Sequence, residues 1–140
     1  MVISRTGQKA PLVESIIAAA LAFCYFAQQQ KLAEVPLFKE LFTEFSHRFD
    51  NMNGPLREIA NSSKPPDHSA QETIINYFNL CSEEYLFFKE GYIHREVWWT
   101  WCAGMLLYFE REPFRSAWEE EERTGSYYGL CLDVIRRGAA

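Results

Sequence analysis

This sequence predicts an all-α fold, a compact bundle of about five to six helices, and three observations carry the expectation. Apolar residues recur at spacings of three and four, no segment alternates with period two, and one Ser/Pro-rich stretch separates two helical halves. With 140 residues, 48% of them hydrophobic and 16% aromatic, the chain suits a single domain with a core built largely from large rings. A net charge of −5 weighs against nucleic acid or anionic lipid as a bulk electrostatic partner.

The first helix is expected over 11–34, opening at Pro11, a good first-turn residue, and running through Gln28–Gln30. Arg5 and Lys9 precede an apolar stretch from Leu12 to Ala27, which imitates a signal peptide. Phe23 and Tyr25 stand where a cleavage site needs small residues, and Phe23 before Cys24 equally disfavours a lipoprotein. Ile16–Ala27 is shorter than the roughly 18–20 residues that cross a bilayer, and Glu14 stops its extension, so a buried core helix is expected.

A second helix is expected over 36–60, where Phe38, Phe42, Phe45, Phe49, Met52, Leu56 and Ile59 form a seam of period 3.5. Gly54–Pro55 falls inside that seam, which continues in phase beyond it, so a kink is predicted there. Residues 61–68, with Pro65–Pro66, are the linker before the C-terminal helices over 69–137. Ser69 with Glu72 has the form of a capping box. Ile74, Phe78, Cys81, Tyr85 and Phe88 make the next seam, and Gly91 closes it.

The fourth helix, about His94–Glu110, has no charge from Val97 to Phe109 and is apolar on every side. It should be the central helix or be covered partly by another subunit, with Gly104 admitting a neighbouring backbone. Pro113 starts a short helix carrying Phe114 and Trp118. Ser126 is expected to cap a last helix that faces Tyr127, Cys131, Val134 and Ile135 inward.

Two surfaces are candidates for function. Trp98, Trp99, Trp101 and Trp118, with the acidic run Glu119, Glu120, Glu121 and Glu122, form an expected partner-binding set of aromatic anchors and a patch for a basic partner. His47, Arg48, Asp50, Asn51 and Asn53, with Glu83 and Glu84, form a polar cluster near the expected kink. Its plain reading is satisfaction of backbone groups freed by Pro55, with Glu84 in a structural salt bridge to an Arg. Cys24, Cys81, Cys102 and Cys131 are widely spaced and read as reduced buried thiols of a cytoplasmic protein. No metal, cofactor, nucleophile-elbow or phosphate-loop motif is present, so neither a cofactor nor a catalytic residue is predicted.

The phrases PLFKELFTEFSHRFDNMNGPL, NYFNLCSEEYLFFKEGYIHREVWWTWCAGM and AWEEEERTGSYYG resemble, in order and spacing over about Pro36–Gly129, a group of small bacterial and phage helical proteins of unknown function. Ser46 and Phe49 stand where that group usually has Asn and Tyr. The resemblance implies a shared helical fold, and in similar proteins a membrane anchor often precedes it. Family context suggests a regulatory part in phage defence. The leading expectation is a cytoplasmic, non-enzymatic interaction module that binds a protein partner or itself, as a homodimer or as an accessory or regulatory subunit of a bacterial or phage assembly. The alternatives are a membrane-associated protein anchored through 12–27 and an enzyme using carboxylates near Pro55.

Overall fold

In the computed structural model, which describes residues 9–140, the fold is all-helical, with no strand among the described residues. Its helices are α1 (Lys9–Asn61), α2 (His68–Lys89), α3 (Arg95–Phe109), α4 (Phe114–Glu122) and α5 (Leu132–Ala139). The chain divides into two units, Met1–Leu37 and Phe38–Ala140, and α1 contributes to both. Arg5 lies outside the described residues.

The expected separation of 11–34 from 36–60 does not occur, and the second helix is the C-terminal part of α1, unbroken at Gly54–Pro55. A helical proline removes the hydrogen bond to the carbonyl four residues earlier. For Pro36 and Pro55 those carbonyls belong to Leu32 and Asn51, both exposed residues, so water can satisfy them.

In the first unit, every described residue from Lys9 to Leu37 is exposed except half-buried Ala27. The expected core helix over Leu12–Ala27 is therefore not a core element. Glu14 does not limit the apolar segment either. An 18-residue window of α1 near its N-terminus is apolar enough to cross a membrane, and none of that window is buried. Ser15, next to Glu14, returns its hydroxyl to the Pro11 carbonyl at 2.9 Å, so it adds little polarity to the helix surface.

The second unit holds the core. Phe78 on α2 sits within 5.1 Å of the Phe109 ring and 5.0 Å of the Trp118 ring, with Tyr127 edge-on at 6.4 Å. Phe45 and Leu56 bring α1 into the same core, and Ile135 brings α5. The rest of the predicted α1 seam is less buried, and Phe42 is 40% exposed.

Local signals fix both ends of α2 and the start of α5. Asp67 caps α2, its carboxylate accepting from the Ala70 amide at 2.8 Å, two residues ahead of the predicted Ser69 box. Gly91 ends α2 with φ +85°, a left-handed turn that glycine adopts without a Cβ clash. The last helix starts at Leu132, later than predicted. Tyr128 and Gly129 both have positive φ and form a turn incompatible with a helix begun at Ser126, yet Tyr127 is buried as expected.

Helix α3 is not covered all round. Trp98, Cys102, Met105 and Phe109 are buried, while Trp99, Thr100, Ala103, Gly104 and Leu107 form an exposed stripe. The close approach belongs to a different glycine. A Cβ on Gly138 of α5 would overlap Cys102 Sγ, whereas Gly104 has nothing within 4 Å.

Candidate functional site

The second unit holds a cleft of about 270 Å³ among α1, α2 and α3. Heptad-like spacing on α1 brings Phe45 and Phe49 to one wall, and Ser46 and Asp50 follow each by one residue on the same helix. Tyr77 and Glu84, seven residues apart on α2, supply the second wall. Thr100, Trp101, Gly104 and Met105 of α3 complete it. The rings brace one another: Phe45 meets Trp101 edge-on at 5.9 Å, and Phe49 lies 6.3 Å from Tyr77.

Glu84 distinguishes this cleft from a packing defect. Its residue is 6% exposed, and among the described residues no hydrogen bond or salt bridge engages its carboxyl. Burial pushes its pKa up to about 8; the Arg48 charge opposes that shift and Glu83 adds to it. A carboxyl in this position is largely protonated at neutral pH. It offers an O–H donor while uncharged and a counter-charge once ionised. Around it, burial also raises the Tyr77 hydroxyl and the Cys81 thiol, and pushes Cys102 up to about 12. These groups hold their protons and give Glu84 no second titrating partner near neutrality.

The predicted polar cluster divides into four parts. Arg48 pairs with Glu83 across α1 and α2, with Glu44 4.0 Å away, so the predicted Arg bridge belongs to Glu83 and leaves Glu84 unpaired. Asp50 and Glu84 both line the cleft. His47 and Asn51 touch each other at 3.4 Å on exposed positions, while Asn53 faces a separate groove with Arg57 and Tyr108.

The predicted aromatic anchors also separate. Trp98 and Trp118 are each 2% exposed. Trp98 stacks on Phe88 at 5.0 Å, and Trp118 lies between Phe109 and Tyr127, so both are core rings with no surface to give a partner. Trp118 Nε1 is buried without a hydrogen-bond partner among the described residues. Trp101 is half-buried in the cleft wall, and Trp99 is 47% exposed beneath the Arg95 guanidinium. In the acidic run, Glu119 pairs with Arg115 at 3.7 Å and Glu121 accepts from the Tyr127 hydroxyl at 2.6 Å. Glu120 and Glu122 are exposed.

Sequence reasoning missed Tyr77, Thr100 and the cleft role of Phe45 and Phe49, because their seam spacing is that of ordinary core residues. The available signal was Glu84 itself, a carboxyl beside the seam positions Cys81, Tyr85 and Phe88. Among the described residues, no group of three or more His, Cys, Asp or Glu is placed to hold a metal ion. No protein family, curated protein or solved structure matches this chain, so the cleft is interpreted from its own chemistry.

Proposed function

We propose that this protein is a membrane-anchored, non-enzymatic helical interaction module, held in a bilayer by the segment around residues 12–27 and presenting residues 38–140 for recognition. One observation supports the anchor: the apolar window of α1 is entirely unburied. Eight large side chains there, Leu12, Val13, Ile16, Ile17, Leu21, Phe23, Tyr25 and Phe26, are each at least half exposed. At about 100° per residue they fall on every side of the helix. An all-round apolar surface suits a spanning helix, whereas an interfacial helix keeps one polar face. An 18-residue window rises about 27 Å, close to the roughly 30 Å of a bilayer core.

The thiols support a compartment as well. All four cysteines are free, although only Cys81 and Cys102 are buried as expected, Cys24 being exposed and Cys131 half-buried. Free thiols suit the reducing, cytoplasmic side of the membrane for residues 38–140. The exposed α3 stripe around Trp99 and Leu107 gives a protein partner or a second copy an apolar surface.

Fractionation of the full chain tests the anchor. The protein should stay with carbonate-washed membranes, and the paired change Ile17→Lys and Leu21→Lys should release it, because each charge near a bilayer centre costs about 3 kcal/mol. Recovery of the unaltered chain in the soluble fraction, as an oligomer by light scattering, would instead favour self-association through the same eight side chains. That second reading rests on the same exposure.

A further inference from the structure

The cleft among α1, α2 and α3 has a chemistry that the anchor does not account for. Its volume, about 270 Å³, is several times the roughly 30 Å³ share of one water, but it is at the small end for ligand pockets. No Lys, Arg or His lines it, and the two ionisable carboxyls are Asp50 towards solvent and Glu84 in the interior. Glu84 is a 6%-exposed residue whose carboxyl has no hydrogen-bond or salt-bridge partner among the described residues, and groups so placed concentrate where a ligand completes them. Four aromatic residues surround the same space. Rings attract a cation at their faces, most strongly where water is excluded.

We propose that this cleft binds a small organic ammonium ion, with Glu84 and Asp50 as counter-charges and Phe45, Phe49, Tyr77 and Trp101 as the aromatic wall. The alternatives fit less well. An anion would meet two carboxyls, and the one cation near Glu84, Arg48, lies outside the lining and is already paired with Glu83. A neutral apolar molecule would leave the Glu84 carboxyl as unsatisfied as before. A bare metal ion would find too few ligands, and aromatic carbon in place of oxygen.

Binding should also move a proton. The charges acting on Glu84 are Arg48 and Glu83; the protonated Tyr77, Cys81 and Cys102 lie near it, and Asp50 lines the same cleft. A cation arriving beside Glu84 favours its ionised form, so the carboxyl releases its proton to solvent as the ligand enters. Affinity should therefore rise as pH increases towards 8.

The test uses the full chain in a non-ionic detergent and tetramethylammonium as the probe. Its single methyl resonance should move upfield on binding, because the rings enclose it, with a dissociation constant in the millimolar range expected for so small a ligand. Calorimetry in two buffers of different ionisation enthalpy should show proton release. Glu84→Gln should weaken binding at least about tenfold and abolish the proton release. Gly104→Leu keeps every group in place and adds bulk where nothing lies within 4 Å, so loss of binding in that variant shows occlusion without relying on Glu84. Glycerophosphocholine, run in parallel, distinguishes a lipid headgroup from a free amine as the source of the ammonium; binding of either supports the site. Equal binding of tert-butanol, preferential binding of pivalate, or no upfield shift at saturating probe would overturn the proposal. Membrane fractionation does not enter this test, so the two readings fail separately.

Discussion

The two units of this chain solve the same problem in opposite ways. Residues 9–37 and 38–140 are both rich in large apolar side chains, yet the first unit exposes them and the second buries them. Phe23 is 72% exposed and Phe78 is fully buried. Similar local patterns therefore have different energetic meanings. In the second unit an apolar residue stabilises the fold. In the first it contributes only if a bilayer or another chain removes it from water, a transfer worth roughly 1.5–3 kcal/mol per large side chain.

The largest expected effect sets the two units directly against each other. Phe78→Ala should cost about 3–5 kcal/mol, because it leaves a void against Phe109 and Trp118. Phe23→Ala should leave the unfolding of residues 38–140 unchanged within about 0.5 kcal/mol. Denaturant titration followed by near-ultraviolet circular dichroism measures both. Equal losses from the two changes would mean that the first unit has a packed partner, and the contrast would fail.

A second measurement sharpens the contrast through pH, since the buried carboxyl belongs to the second unit alone. The Glu84 pKa is raised from the ordinary 4.5 to about 8, so between those values the folded state holds a proton that the unfolded state has lost. Stability is then greatest below about pH 4.5, falls as pH rises, and levels off above about 8. Glu84→Gln removes that slope, and relative to the unaltered chain it should gain roughly 2–4 kcal/mol between pH 5 and 8. Melting temperatures across that range decide the matter. Parallel pH profiles for both proteins would place the titration elsewhere.

How much of this was readable in advance depends on whether a local signal fixes the outcome. The helical class, a helix break within 61–68 (found at 62–67), the Gly91 stop and the Phe78 and Phe109 core follow from spacing and turn chemistry, which act over a few residues. Continuity through Pro36 and Pro55 does not, because it depends on whether Leu32 and Asn51 face water. The side of α3 left open was also unreadable. An all-apolar helix has no polar stripe to mark its outer face, so Trp99 and Trp98, adjacent and chemically alike, end with opposite exposures. For the cleft, the sequence located Asp50 and Glu84 in one polar cluster but paired Glu84 with an arginine. The choice between Glu83 and Glu84 turns on about 100° of helix rotation, which only the packing of α1 against α2 decides.

A third prediction tests close packing within the second unit. Gly138→Ala drives a methyl into Cys102 Sγ and sets it 3.2 Å from Trp98 Nε1. Displacing α5 from α3 should cost about 1–3 kcal/mol despite the better helix propensity of alanine. Pairing it with Cys102→Ala should recover part of the loss, since the sulfur is the obstructing atom. Failure of that rescue would move the obstruction to the Cys102 Cβ, 3.0 Å from the methyl and retained in alanine, or to Trp98.

The smallest effect comes from the exposed side of α1. Gly54 is exposed, lies inside the helix, and beyond its own helix neighbours has nothing within 4 Å of the place where a methyl group would sit. Alanine restricts the unfolded chain, a gain of about 0.5–1 kcal/mol. The neighbouring Pro55 opposes that gain, because a Cβ on the residue before a proline crowds the proline ring in helical geometry. If α1 runs unbroken through this point, as its helical geometry from Lys9 to Asn61 requires, Gly54→Ala should therefore leave residues 38–140 unchanged or slightly destabilised. If the backbone instead adopts the extended geometry that residues before proline prefer, alanine gives the gain. The sign of one small change, read by thermal melting, therefore decides whether α1 is continuous where the sequence most strongly suggested a bend.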